Sequence, residues 1–195
     1  MASQEERKQF QEALKESAEL LLHIHLPRWE ELPDIELYMD QILQLVPRYL
    51  AFLSSTDDDV ILTPAMINNY VKQGFIPRPH KKKYQREHVV YLLIVVLMKP
   101  IFSLADIKEG MERQVEAVGG DHRRAYNMFC KLFEYALREV AGVTLGDSPN
   151  HRFLQHLPSY TLGTYMAVRS VAARVMADET LRILRHLEEE RTPCE

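Results

Sequence analysis

Asn68, Asn69, Lys72 and Gln73 share one face of a short helical segment, and Lys72, Arg78, Lys81, Lys82, Lys83 and Arg86 run on with no acid between the first and the last. Amide side chains bond bidentately to adenine edges in a major groove, each good pair discriminating by about 1–3 kcal/mol. Ammonium and guanidinium groups hold phosphates and set register without reading sequence. Four to six engaged cations would make affinity fall with log salt at a slope of about −4 to −5. Tyr84 ends the basic turn, where it packs the turn from inside or touches a nucleic-acid backbone. The candidate DNA-binding set is therefore Asn68, Asn69, Lys72, Gln73, Arg78, Lys81, Lys82, Lys83, Tyr84 and Arg86. The same residues also fit an ordinary solvated helix face and a solvated lysine turn, and Tyr70 fits core packing.

Other chemistry has no comparable pattern. The chain contains no GxSxG elbow, no GxxxxGK phosphate loop and no HExxH pair. His23 and His25 alternate on a helical segment and so point to different faces, and His151 and His156 stand in a loop without a carboxylate or cysteine cluster. Cys130 lies on a helical segment, where cysteine is commonly a small buried hydrophobe. The expectation is a protein that is not an enzyme and needs no metal or cofactor.

Charge is distributed unevenly. The 195 residues sum to −4, while the stretch from Lys72 to Arg86 carries six cations, leaving −10 for the remainder. A basic patch on an acidic body can face one anionic partner while the body repels others. At 46% hydrophobic residues the chain can bury a real core. Cys130 and Cys194 are too far apart to read as a disulfide framework or a zinc site. The N-terminus is polar with no signal peptide, and the longest apolar run, Val89 to Met98, is too short for a bilayer. A reduced, cytoplasmic protein without membrane contact is expected.

These residues need elements to position them, and the elements read as all-α. Ser3 and Glu6 form a capping-box pattern ahead of a helix carrying Phe10, Leu14, Ala18, Leu21 and Leu22. A second helix is expected over 34–53, kinked or restarted at Pro47, followed by an acidic loop at 54–59. Thr63-Pro64 starts the short helix and Gly74 ends it. After Pro77 and Pro79 a helix runs from about Gln85 to Met98, although its β-branched residues also suit a buried strand. Ser103 to Asp106 opens another helix with a stripe of Leu104, Ile107, Met111, Val115 and Val118, ended by Gly119-Gly120. Asp121 caps the next, residues 142–158 form a loop, and a long helix from about Leu162 to Glu190 follows, with Asp178 as a potential break.

The middle segment resembles the N-terminal domain of the MerR-type transcription regulators, through Ile67, Tyr70, Gly74, Phe75, Ile76, Pro77, Tyr84, Leu93, Leu97, Phe102, Ser103, Leu104 and Ile107 in order. It more closely resembles a bacterial family of uncharacterised proteins, the domain of unknown function numbered 1836. The signals there are Leu37-Tyr-Met-Asp-Gln41, Met66-Ile-Asn-Asn-Tyr70 and Lys81-Lys-Lys-Tyr84, over roughly residues 30–115. The resemblance implies a MerR-like winged helix-turn-helix over 30–118, between an N-terminal helix at 1–29 and a C-terminal helical dimerisation or effector region at 119–195. It also implies an arginine gripping phosphate from the recognition helix; Asn68 occupies that place here.

Two functions follow as expectations. One is a sequence-specific DNA-binding transcriptional regulator, with helix 64–73 in the major groove of double-stranded DNA and the basic wing on phosphates. It would act as a homodimer, because one such module rarely binds tightly alone. Tyr126, Met128, Phe129, Phe133, Tyr165, Met166 and Met176 could line a small-molecule effector pocket in the C-terminal region, or could be plain core or dimer interface. The alternative is a protein-interaction module on the same winged scaffold, without DNA binding, which Asn68 and the acidic body favour.

Overall fold

The described residues, 4–53, 62–147 and 159–189 of a computed structural model with the side chains at 159 and 160 excepted, hold seven α-helices, two short 3-10 helices and no strand. The all-α expectation therefore holds over them. Ser3, the acidic loop at 54–59, His151, His156, Cys194 and most of the 142–158 loop lie outside this set. None of the described helices is long and apolar enough to cross a membrane.

Helix α1 (Gln4–Leu22) turns Ser17, Ala18 and Leu21 inward. The helix expected over 34–53 begins later, as α2 (Met39–Tyr49). Leu37 is the reason. Its N–H donates to Tyr84 O and its carbonyl accepts from Tyr84 N, each at 2.8 Å, in an isolated antiparallel bridge that holds it extended. Tyr38 N–H then donates to Gln41 Oε1 at 2.8 Å, closing the new helix start. Pro47 sits in the last turn of α2, where few backbone bonds remain to be lost, and Leu50 N–H closes the end on Val46 and Pro47 carbonyls.

Helix α3 (Pro64–Lys72) starts as its sequence indicates, with Thr63 Oγ1 accepting from Met66 N at 3.2 Å and proline at the first position. Helix α4 (Arg86–Met98) settles the strand-or-helix question. Val89, Val90, Leu92, Leu93, Ile94, Val95, Leu97 and Met98 are all buried, so it is apolar on nearly every side and lies inside the molecule. Helix α5 (Leu104–Ala117) carries a reciprocal cap, Ser103 Oγ accepting from Asp106 N and Asp106 Oδ2 accepting from Ser103 N. Gly119 and Gly120 end it at φ +76° and +85°, in the left-handed region where glycine is unstrained. Helix α6 (His122–Thr144) is capped by Asp121, and helix α7 (Ser159–Glu189) continues unbroken through Asp178.

Helices α6 and α7 pack on each other, α1 packs on both, and α5 also rests on this pair. Helix α4 contacts α2, α5 and α7, and one apolar cluster runs through all of them. Residues 26–29 strap the N-terminal part to α6. Arg28 grips Glu134 through both nitrogens, at 2.6 Å each, and Leu26 N–H donates to the same carboxylate at 2.9 Å. Tyr126 Oη donates to Pro27 O at 2.8 Å, and Trp29 N–H donates to Asn127 Oδ1 at 2.8 Å. Because the Glu134 side chain is only 7% exposed, the Arg28 pair behaves as a buried one: removing either partner strands the other's charge and costs about 3–5 kcal/mol.

Candidate nucleic-acid interface

The periodicity of α3 separates its faces. Ile67 and Tyr70 are buried, whereas Asn68, Asn69, Lys72 and Gln73 are exposed. Gln73 Nε2 donates to Asn69 Oδ1 at 3.1 Å, which orients two of the amides against each other one turn apart. The end of α3 is held tightly. Gly74 turns at φ +69°, and Phe75 and Ile76 N–H both donate to Tyr70 O at 3.0 and 3.3 Å. The two apolar side chains that follow are then buried, with the Phe75 ring edge-on to Tyr70 at 6.3 Å and to Tyr91 of α4 at 5.8 Å. This anchor fixes where the chain emerges toward the basic turn.

That turn is tight, closed by an isolated bridge between His80 and Lys83. Lys83 N–H donates to His80 O at 2.8 Å, and Lys81 and Lys82 between them have φ +47° and +64°. Positive φ at both central residues is the type I′ pattern, which normally selects Asn-Gly. Each L-residue with a Cβ in this region costs about 1–2 kcal/mol. Both lysines are exposed at the tip. Tyr84, next along, pairs with Leu37 and is 3% exposed, its ring edge-on to His88 at 5.5 Å. Of the two roles open to Tyr84, its position is that of the turn's inner support.

The cations divide into two groups. Lys83 Nζ lies 2.9 Å from Glu36 Oε2 and 5.9 Å from the centre of the Tyr38 ring. That hydrogen bond holds the Glu36 carboxyl below its usual range and pushes the Lys83 ammonium up. Arg86 Nε donates to Pro33 O at 3.3 Å and its guanidinium stands over Trp29 at 5.9 Å. Lys72, Arg78, Lys81 and Lys82 are exposed and make no ion pair with any described residue.

His88 ties the end of the basic turn to α4. Its Nδ1 accepts from Gln85 N–H at 2.9 Å, its Nε2 is buried without a partner, and the residue is 5% exposed. Burial pushes its pKa below that of free histidine, so the ring is neutral and able to accept that bond. Glu36 and His88 are the two site residues that sequence reasoning missed. The three-residue spacing from Gln85 to His88 is a capping signal that was available; nothing in the sequence pairs Glu36 with Lys83. Among the described residues no group of three or more His, Cys, Asp or Glu is arranged to hold a metal ion.

A family model described as Domain of unknown function (DUF1836) matches residues 27–130, just over half of the chain. Its two ends meet in space, where Pro27 O accepts from Tyr126 Oη. No curated protein and no solved structure matches the chain.

Proposed function

We propose that this chain, which belongs to the DUF1836 family, binds double-stranded DNA and acts as a transcriptional regulator. In this reading α3 enters the major groove with Asn68, Asn69 and Gln73 toward base edges. Lys72, Arg78, Lys81 and Lys82 contact phosphates, and Lys83 and Arg86 add to the field while their own partners hold them in place. A MerR-like winged helix-turn-helix is the arrangement this reading assigns to residues 30–118. The observation that carries it is the wing tip. Two lysines occupy left-handed positions that asparagine and glycine would fill with less strain, and both side chains are exposed. Backbone strain kept at a surface site argues for a role of the side chains held there.

The functional unit is a homodimer, with two α3 helices reading two half-sites. Its contact lies on α7, which exposes Leu162, Met166, Leu181 and Leu184. The test is retention of genomic and random duplex fragments by the purified protein at two salt concentrations, beside Lys81→Ala/Lys82→Ala. Selective retention that weakens with salt and drops in the variant supports the reading. No retention at low salt overturns it and leaves the second reading, a protein-interaction surface, which the neutralisation of Lys83 by Glu36 favours.

A further inference from the structure

We propose that a partly open cavity between α4, α5, α6 and α7 is a binding site for a small uncharged molecule, largely apolar, that carries one hydrogen-bond acceptor. The cavity holds about 240 Å3 and is walled mainly by Trp29, Tyr91, Ile94, Phe102, Tyr126 and Phe129. That is space for roughly eight waters, yet the walls are apolar enough to favour an organic occupant over water.

One polar wall group is incomplete. Gln114 is 6% exposed, and its Oε1 accepts from Thr164 Oγ1 at 3.0 Å, while its Nε2 has no partner. A buried amide N–H without an acceptor is unfavourable, and a small turn of the Gln114 side chain toward the cavity would let a carbonyl on a bound molecule satisfy it. The ligand's charge follows from the edge. Besides Tyr91 and Tyr126, the titratable groups that line the cavity are Glu87, Asp106 and His122, all three exposed to solvent. An anion would meet two carboxylates there, and a cation drawn past them would lose its water among apolar walls that offer only an N–H donor, so a neutral molecule fits best.

Glycine keeps the mouth open. Gly110 of α5 and Gly163 of α7 both line the cavity inside helices, where glycine is the least favourable residue save proline. A Cβ at either would meet nothing within 4 Å, so helix packing does not require them to be glycine. Of the side chains suggested by sequence for an effector pocket, Tyr126 and Phe129 line this cavity, whereas Phe133 and Tyr165 are core residues and Met166 is 49% exposed. The inference stands apart from the DNA reading, since the cavity can be filled whether or not DNA is bound.

The probe is prodan, an uncharged naphthyl ketone, added to the full chain and followed by energy transfer from Trp29, the single tryptophan. Saturable transfer at one site per chain is expected. Gly110→Leu should abolish it while melting no lower than the wild type, and Gly163→Leu is the second blocking variant. Gln114→Leu should weaken the ketone at least tenfold and leave the carbonyl-free dimethylaminonaphthalene unchanged. Absence of saturable transfer, or transfer that survives both blocking variants, overturns the site. Equal weakening of both probes by Gln114→Leu overturns the acceptor assignment.

Discussion

Replacing the turn tip by Lys81→Asn/Lys82→Gly should make the protein more stable and, in the proposed function, a weaker DNA binder. Both lysines have positive φ, at +47° and +64°, and both are exposed. Relief of the left-handed strain contributes about 1–2 kcal/mol at each position, and Asn-Gly is the pair that a type I′ turn favours. The new glycine gives back about 0.5–1 kcal/mol through the greater freedom of the unfolded chain. A net gain of about 1–3.5 kcal/mol raises Tm by roughly 2–14 °C for a chain of this size. The DNA side moves the other way. Each lost phosphate contact lowers the slope of log affinity against log salt by about 0.9, so two contacts per protomer reduce it by about 1.8. At about 0.1 M salt the same relation weakens binding by a factor of about 60 for each protomer. Scanning calorimetry and fluorescence anisotropy on one duplex at several salt concentrations read the two effects separately. A lower Tm would refute the turn assignment. An unchanged slope alongside a raised Tm would refute the phosphate role while leaving the turn intact.

Three further outcomes follow from the geometry. His88 has a folded pKa depressed by burial, so its contribution is full above the free value of about 6.5 and is lost as pH falls from there through the folded value; the Tm-against-pH curve should bend down below pH 6.5, and His88→Gln, which keeps an acceptor for Gln85 N–H, should flatten that bend. For Glu134, burial raises the carboxyl pKa but the Arg28 fork and Leu26 N–H outweigh it and hold it low, so stability present above about pH 4.3 is lost in acid as pH falls through the folded value. Glu134→Gln should cost about 3 kcal/mol in urea unfolding at neutral pH, and a cost under about 0.5 kcal/mol would mean that the strap carries no weight. Finally, if α7 carries the proposed homodimer contact, Leu181→Glu/Leu184→Glu should shift sedimentation from dimer to monomer with the helical circular dichroism unchanged, because both side chains are substantially exposed, at 56% and 41%.

Local chemistry was legible in the residues alone. Thr63-Pro64 and Gly74 bound α3, Ser103 with Asp106 opens α5, Asp121 opens α6, and Gly119-Gly120 stops α5, because caps and positive-φ turns are decided within a few residues. The polar face of α3 and the basic turn after it were legible for the same reason, since helical periodicity alone places Asn68 and Asn69 opposite Ile67 and Tyr70. The start of α2 was not, because it depends on Leu37 pairing with Tyr84 far along the chain. Only tertiary structure could assign Lys83 to Glu36, separate it from Lys81 and Lys82, and put those two in a conformation their own propensities oppose. It also decided that the apolar stripe of α5 is incompletely covered, leaving Gln114 with an unpaired N–H beside a cavity. Cap and periodicity signals are short-range and add along the chain. Ion-pair choice, turn strain and cavities arise where distant segments meet, and no window of sequence contains both partners.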